Sequence, residues 1–220
     1  MTRLKLAIFD VDGTLADSQG HIRIAMEGAF DLAGLPVPSD VLSIVGLSLP
    51  QAMRHLVPDA SEAQIETLVD GYKATYSAHR AGTSPVPLYP GAMEAIKQLH
   101  ARDDVLLGIA TGKSQKGLRH LLAAHGLDRY FVTTQVADHH PSKPHPSMVL
   151  TALAETGVEA CDAVMIGDTS FDMQMAQAAR VAGVGVSWGY HGVANLTPAR
   201  HVLHDFAELI PALDQIWRNP

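Results

Sequence analysis

Short apolar runs alternate with longer amphipathic stretches through the second half of the chain. Val105 to Ala110, Tyr130 to Thr133, Ala163 to Ile166 and Gly183 to Val186 are bounded by Gly, Pro and polar residues and are predicted to be strands. Gln115 to His125, Pro146 to Thr156, Phe171 to Val181 and Asp205 to Ile216 carry the 3.6-residue period of helices. Leu4 to Phe9 adds a strand at the start. Such alternation predicts an α/β fold, a doubly wound parallel sheet with helices on both faces.

Between Leu15 and Pro87 the pattern changes. Ile22 to Ala33, Ser39 to Ile44, Leu49 to His55 and Ser61 to Arg80 have helical periodicity, and no run looks like a strand. Roughly 70 residues of helix between a first and a second strand is far more than an ordinary βα connection needs. The segment therefore reads as an inserted α-helical cap domain, residues 16–84, on a core of residues 1–15 and 85–220. Its linkers are the turn Asp12 to Ser18 and the stretch Gly82 to Pro87. Tyr89-Pro90-Gly91 then restarts the core with a helix from Ala92 to Ala101.

Asp10-Val11-Asp12-Gly13-Thr14-Leu15 lies directly behind the first strand. Side chains at i and i+2 of an extended segment share a side, so both carboxylates converge at the carboxyl end of a buried strand. Open α/β sheets bind ligands at that end. Two close carboxylates repel unless a cation or a proton sits between them. The pair therefore calls for a divalent metal, a shared proton, or both. Gly13 lets the chain break sharply, and Thr14 with Asp17 or Ser18 can accept from free backbone N–H groups of the following turn. Three further polar signals each follow a β-like run or stiff loop. They are Thr111-Gly112, Lys143 in Pro141-Ser142-Lys143-Pro144-His145-Pro146, and Asp168 with Asp172. Thr111 suits either a helix N-cap or a phosphate-holding hydroxyl. Flanking prolines limit where the Lys143 ammonium can point.

In this order the four signals resemble the motifs of the haloacid dehalogenase superfamily of phosphotransferases, spanning Asp10 to Asp172. The resemblance implies that Asp10 is the nucleophile that becomes an aspartyl phosphate. It implies that Asp12 is the general acid and base, that Thr111 and Gly112 orient the phosphate, and that Lys143 neutralises nucleophile and phosphoryl group. Asp10, Asp12 (through its backbone carbonyl) and Asp168 are expected to hold Mg2+, with Asp172 behind them, pairing with Lys143 or a metal-bound water. Thr14 and the cap residue His21 are added as substrate-binding residues, while Arg23, Arg54 and His55 suit either the cleft or an exposed helix face. The closest look is to the phosphoglycolate phosphatase-like subgroup with a helical cap. Hydrolysis of a small phosphorylated metabolite is therefore the expected reaction. A phosphomutase similar to β-phosphoglucomutase, a pyrophosphatase and a non-catalytic binding protein are the alternatives.

Composition narrows the setting. The net charge of −7, with scattered Lys and Arg, argues against a nucleic-acid partner. No apolar stretch approaches the ~20 residues of a membrane span, and nothing resembles a signal peptide, so a cytoplasmic location is expected. One cysteine, Cys161, excludes an internal disulfide and is expected to be a buried structural thiol. The 12 histidines show no zinc-binding spacing. Lys113 is expected to be solvated, and the loop Ser187 to Gly192 to lie near the active end. Nothing in the chain specifies an oligomeric state.

Overall fold

The computed structural model describes residues 3–219. Six parallel strands form one sheet in the order β3-β2-β1-β4-β5-β6. They are β1 (Lys5–Phe9), β2 (Val105–Thr111), β3 (Thr133–Val136), β4 (Ala163–Gly167), β5 (Ala182–Val186) and β6 (His201–Leu203). Alternate residues of β1 feed two separate apolar clusters. Ala7 and Phe9 join Ile96, Leu99, Leu118 and Leu213 on one face. Leu6 and Ile8 join Met148, Val149 and Met175 on the other. A strand buried on both faces is what a helix-covered parallel sheet requires. The helices responsible are α4 (Ala92–His100), α5 (Gln115–His125) and α8 (Leu209–Arg218) on the first face, with α6 (Ser147–Thr156) and α7 (Ser170–Ala178) on the second.

Strand order reverses around β1, which lies between β2 and β4. The parallel register sets Phe9 beside both Ile109 and Ile166. Asp10, Thr111 and Asp168 are thereby gathered at adjacent carboxyl ends, on either side of the switch point where such sheets bind ligands.

The remaining helices, α1 (Gln19–Leu32), α2 (Leu49–Leu56) and α3 (Glu62–Ala81), lie between β1 and α4. Helix α1 buries Ile22, Ala25, Met26, Ala29 and Phe30, an i, i+3, i+4, i+7, i+8 stripe. With Met53, Ile65 and Leu68 this stripe forms a third apolar cluster, which shares no buried member with the other two. The chain enters and leaves this helical insert side by side. Asp17 N donates to Pro87 O and Tyr89 N to Leu15 O, each at 2.9 Å. Among the described residues no helix is long and apolar enough to cross a membrane.

The structure corrects three sequence expectations and adds one strand. Residues 39–44 form turns, because a six-residue stretch behind two prolines gains too little to nucleate a helix. The third strand begins at Thr133, three residues later than expected. Tyr130 and Phe131 instead plug the core from a loop, Phe131 edge-on to Phe9. Thr133 and Gln135 carry the strand because both donate to Glu155. The three-residue β6 is too short to leave a periodic signal. Cys161 is exposed, in a single turn Ala160–Asp162 ahead of β4, and is no buried thiol.

Candidate active site

Asp10, Asp168 and Asp172 are buried together, with one carboxylate oxygen from each within 4.8 Å of the others. Each is fixed by its place in the chain. Asp10 follows β1, and its N–H donates to Ile166 O at 2.9 Å. Asp168 follows β4 and accepts from Thr14 Oγ1 at 2.9 Å and Tyr190 N at 2.8 Å. Asp172 is held by the N-terminal box of α7, where it accepts from Thr169 N at 3.0 Å and Thr169 Oγ1 at 2.6 Å. Gly13, at φ +83°, passes so close to Asp168 that a side chain there would overlap the carboxylate.

One cation serves the three acids. Lys143 Nζ lies 2.6 Å from Asp172 and 3.1 Å from Asp10, its side chain fully buried. The Asp10 contact is off the hydrogen-bonding direction, so both Asp10 oxygens lack a donor among the described residues. Burial pushes Asp10 up to about 7, opposed by Lys143 and helped by Asp172. Burial, then Asp172 and Asp10, also push Asp168 well above the carboxylate range. Burial alone would discharge Lys143, but the two carboxylates beside it hold the ammonium above its ordinary value. Ionised together, the three buried acids would outweigh the one ammonium, and their mutual repulsion adds to burial in raising Asp10 and Asp168. Oxygen-only donors of this kind fit a hard divalent cation.

Asp12 is turned away from this cluster. Lys113 Nζ grips both its oxygens, at 2.7 and 2.8 Å, and sits 5.6 Å from the Tyr76 ring of α3. Lys113 is thus no solvated lysine, since its side chain is only 8% exposed. Burial opposes its charge, but Asp12 and then Tyr76 hold the ammonium above its usual range. Its position offered a signal. It stands two residues past Thr111 at the end of β2, as Asp12 stands two residues past Asp10.

Thr111 is buried at the cavity floor and is not the cap of α5, a place Ser114 takes. Gly112 lines the same cavity beneath Gly46 and Leu47 of the insert. Thr14 is spent on Asp168 and lies off the cavity wall. His21 is also off that wall, edge-on to His79 and 3.4 Å from Thr83 Oγ1. Arg23 and His55 are exposed. Arg54 pairs with Glu62 on the surface of the insert. The loop after β5 proves closely involved. Besides the Tyr190 N–H on Asp168, the Tyr190 hydroxyl meets Ser18, and His191 bridges Ser170 to Ser43 O of the insert.

Above Asp10 and Asp12 lies a cavity of about 550 Å³ between core and insert. Ser48 N of the insert donates to Ser142 Oγ, beside Lys143, at 2.8 Å, so the insert rests on the loop that carries the buried lysine.

Known proteins resemble this chain along nearly its whole length. The chain is 32% identical over 214 residues to the probable phosphatase IndB of Dickeya dadantii, covering 94% of this chain and 92% of that one. It is also 32% identical over 217 residues to a phosphoglycolate phosphatase of Agrobacterium fabrum, covering 94% and 91%. The crystal structure of a hydrolase from Pseudomonas syringae superposes with a TM-score of 0.85 at 26% identity, over 96% of this chain and 99% of that one. Residues 7–186, from β1 through β5, match the haloacid dehalogenase-like hydrolase family, and the chain belongs to it.

Proposed function

We propose that this chain is a magnesium-dependent phosphatase that hydrolyses a small organic phosphomonoester through an aspartyl phosphate on Asp10. The observation that carries the reading is the Asp10 carboxylate, buried at the floor of the cavity 3.1 Å from the Lys143 ammonium with no donor among the described residues aligned on it. A nucleophile needs free lone pairs and a nearby positive charge to accept the phosphoryl group.

One Asp10 oxygen attacks phosphorus, and the ester P–O bond breaks. Asp12, which lines the cavity, gives a proton to the departing alkoxide once a proton has replaced its ion pair with Lys113. Asp12, now a carboxylate, takes a proton from water as that water attacks phosphorus. The Asp10–phosphorus bond then breaks, releasing inorganic phosphate and restoring both groups. Thr111 and the backbone of Gly112 orient the phosphoryl oxygens, and Lys143 balances Asp10 throughout. Asp10 and Asp168, with the Asp12 backbone carbonyl and with Asp172 close behind, would hold magnesium, which when bound would supply further neutralisation of nucleophile and phosphoryl group. The insert serves as the cap that excludes bulk water. A cytoplasmic location belongs to the same reading, supported by a lone cysteine in a chain that acts on metabolites.

Phosphate release from a panel of phosphometabolites with magnesium present tests the proposal. Asp10→Asn is expected to keep its circular dichroism and lose turnover, and mass spectrometry should trap phosphate on Asp10 in the wild type. Wild-type turnover by Asp10→Asn would overturn it.

A further inference from the structure

The cavity over Asp10 has two unlike sides. Its core side is polar, with Asp12, Thr111, Gly112 and Lys113. Its insert side is apolar and aromatic, with Met26, Leu49, Val69, Tyr72 and Tyr76. Tyr72 and Tyr76 stand one helical turn apart on α3, their rings stacked at 5.8 Å and 20° from parallel. Burial raises the Tyr72 phenol well above its usual range, with Asp12 adding to the push, so the ring is a neutral, flat contact surface.

We infer that the leaving group is an alcohol bearing a flat ring, seated against Tyr72 and Tyr76, and not a two-carbon acid. The inference rests on the phosphatase reading of Asp10. At about 550 Å³ the cavity falls in the roughly 300–1,000 Å³ range that encloses ligands of drug size. A phosphorylated two-carbon acid would leave most of that apolar wall against water. Its carboxylate would also need a cation, and of the lining cations Arg80 alone would be left to meet it. Lys113 is already taken by Asp12. Lys73 is 65% exposed beside Asp70, and Lys116 is exposed. Arg80, one turn past Tyr76, completes the cationic lining, and its planar guanidinium suits the carbonyl or hydroxyl groups of a ring as well as an anion. These cations together draw a phosphate dianion toward the site in a chain that is otherwise acidic.

Benzyl phosphate and ethyl phosphate share an alkyl leaving oxygen and differ by the ring, so their kcat/KM ratio isolates the wall. With magnesium present, benzyl phosphate is expected to exceed both ethyl phosphate and 2-phosphoglycolate by about tenfold or more, the scale of one ring–ring contact. Tyr72→Leu is expected to collapse that benzyl-to-ethyl ratio toward one. A wild-type ranking with 2-phosphoglycolate first, or an unchanged ratio in folded Tyr72→Leu, overturns the inference while leaving the phosphatase reading intact. Calorimetric titration of the same three phosphates into Asp10→Asn separates binding from hydrolysis. Ring-selective binding there, beside a wild-type enzyme that releases phosphate from none of these nor from any member of the phosphometabolite panel, would overturn the phosphatase reading and leave only a ring-binding wall. Equal affinities for all three would overturn the ring assignment alone.

Discussion

Lys113 holds Asp12 with both carboxylate oxygens, tying the end of β2 to the end of β1 directly beneath the insert. If Asp12 moves the protons, Lys113 acts through it by fixing where its carboxylate rests. Asp12→Asn is then expected to lower kcat by about 10²–10⁴, the usual worth of general acid–base catalysis. Lys113→Met should lower it by at least about tenfold, because the freed carboxylate no longer has one resting position. The double variant should be hardly worse than Asp12→Asn alone. Steady-state kinetics on the three proteins decide the matter, and fully additive losses would separate the two residues' roles.

Removing divalent metal with EDTA is expected to abolish turnover, magnesium to restore it, and calcium to do so poorly because its coordination is longer and looser. The metal-free protein should also carry a pH signature. Asp10 is pushed up to about 7 by burial, against 3.8 for an ordinary aspartate, so the folded chain binds this proton more tightly than the unfolded chain does. Stability from this group is complete below about pH 4 and is lost as the pH rises through about 7. Metal needs the carboxylate, so magnesium affinity should climb over the same interval. Thermal melts with EDTA and with magnesium, taken from pH 5 to 9 at roughly unit steps, should therefore diverge as the pH increases.

A methyl group on Gly112 would lie 2.5 Å from Gly46 O and 2.8 Å from Leu47 O, and carbonyls of the main chain cannot swing aside. Gly112→Ala is expected to displace the insert from the core and cost about 10² in kcat/KM, the scale of an ångström's misplacement. Gly20 in α1 faces open space. Gly20→Ala should therefore leave kinetics unchanged and raise stability by about 0.5–1 kcal/mol.

Because the insert has its own apolar cluster, exchanging residues 18–82 for a short Gly/Ser linker is expected to leave a folded core. That core should retain metal binding, discriminate poorly among small phosphates and show a higher KM for the best of them. An unchanged ranking of substrates would remove specificity from the insert.

Much of this was legible in the chain because the signals are local. Asp10 and Asp168 each follow a β-like run, so the pattern predicts which strand ends carry them, whereas the i, i+2 spacing predicts Asp12 beside Asp10 and the structure turns it to Lys113. Parallel alternation likewise predicts the sheet. Lys113 was misread because its partner is 101 residues away, and exposure depends on a contact that no local pattern encodes. Tyr72 and Tyr76 carry no local signal of a site, since their place on the cavity wall depends on where α3 comes to rest above the core. The pairing of Lys143 with Asp172 could be anticipated from charge, but that no donor among the described residues is aligned on Asp10 is a fact of three-dimensional packing.

The side-by-side hydrogen bonds from Asp17 to Pro87 and from Tyr89 to Leu15 make the insert's attachment a single narrow neck. A module whose ends meet at that spacing can be spliced into the neck with the sheet register untouched. Chimeras that exchange residues between Asp17 and Pro87 among relatives should thus transplant substrate choice while the aspartates below continue the same reaction.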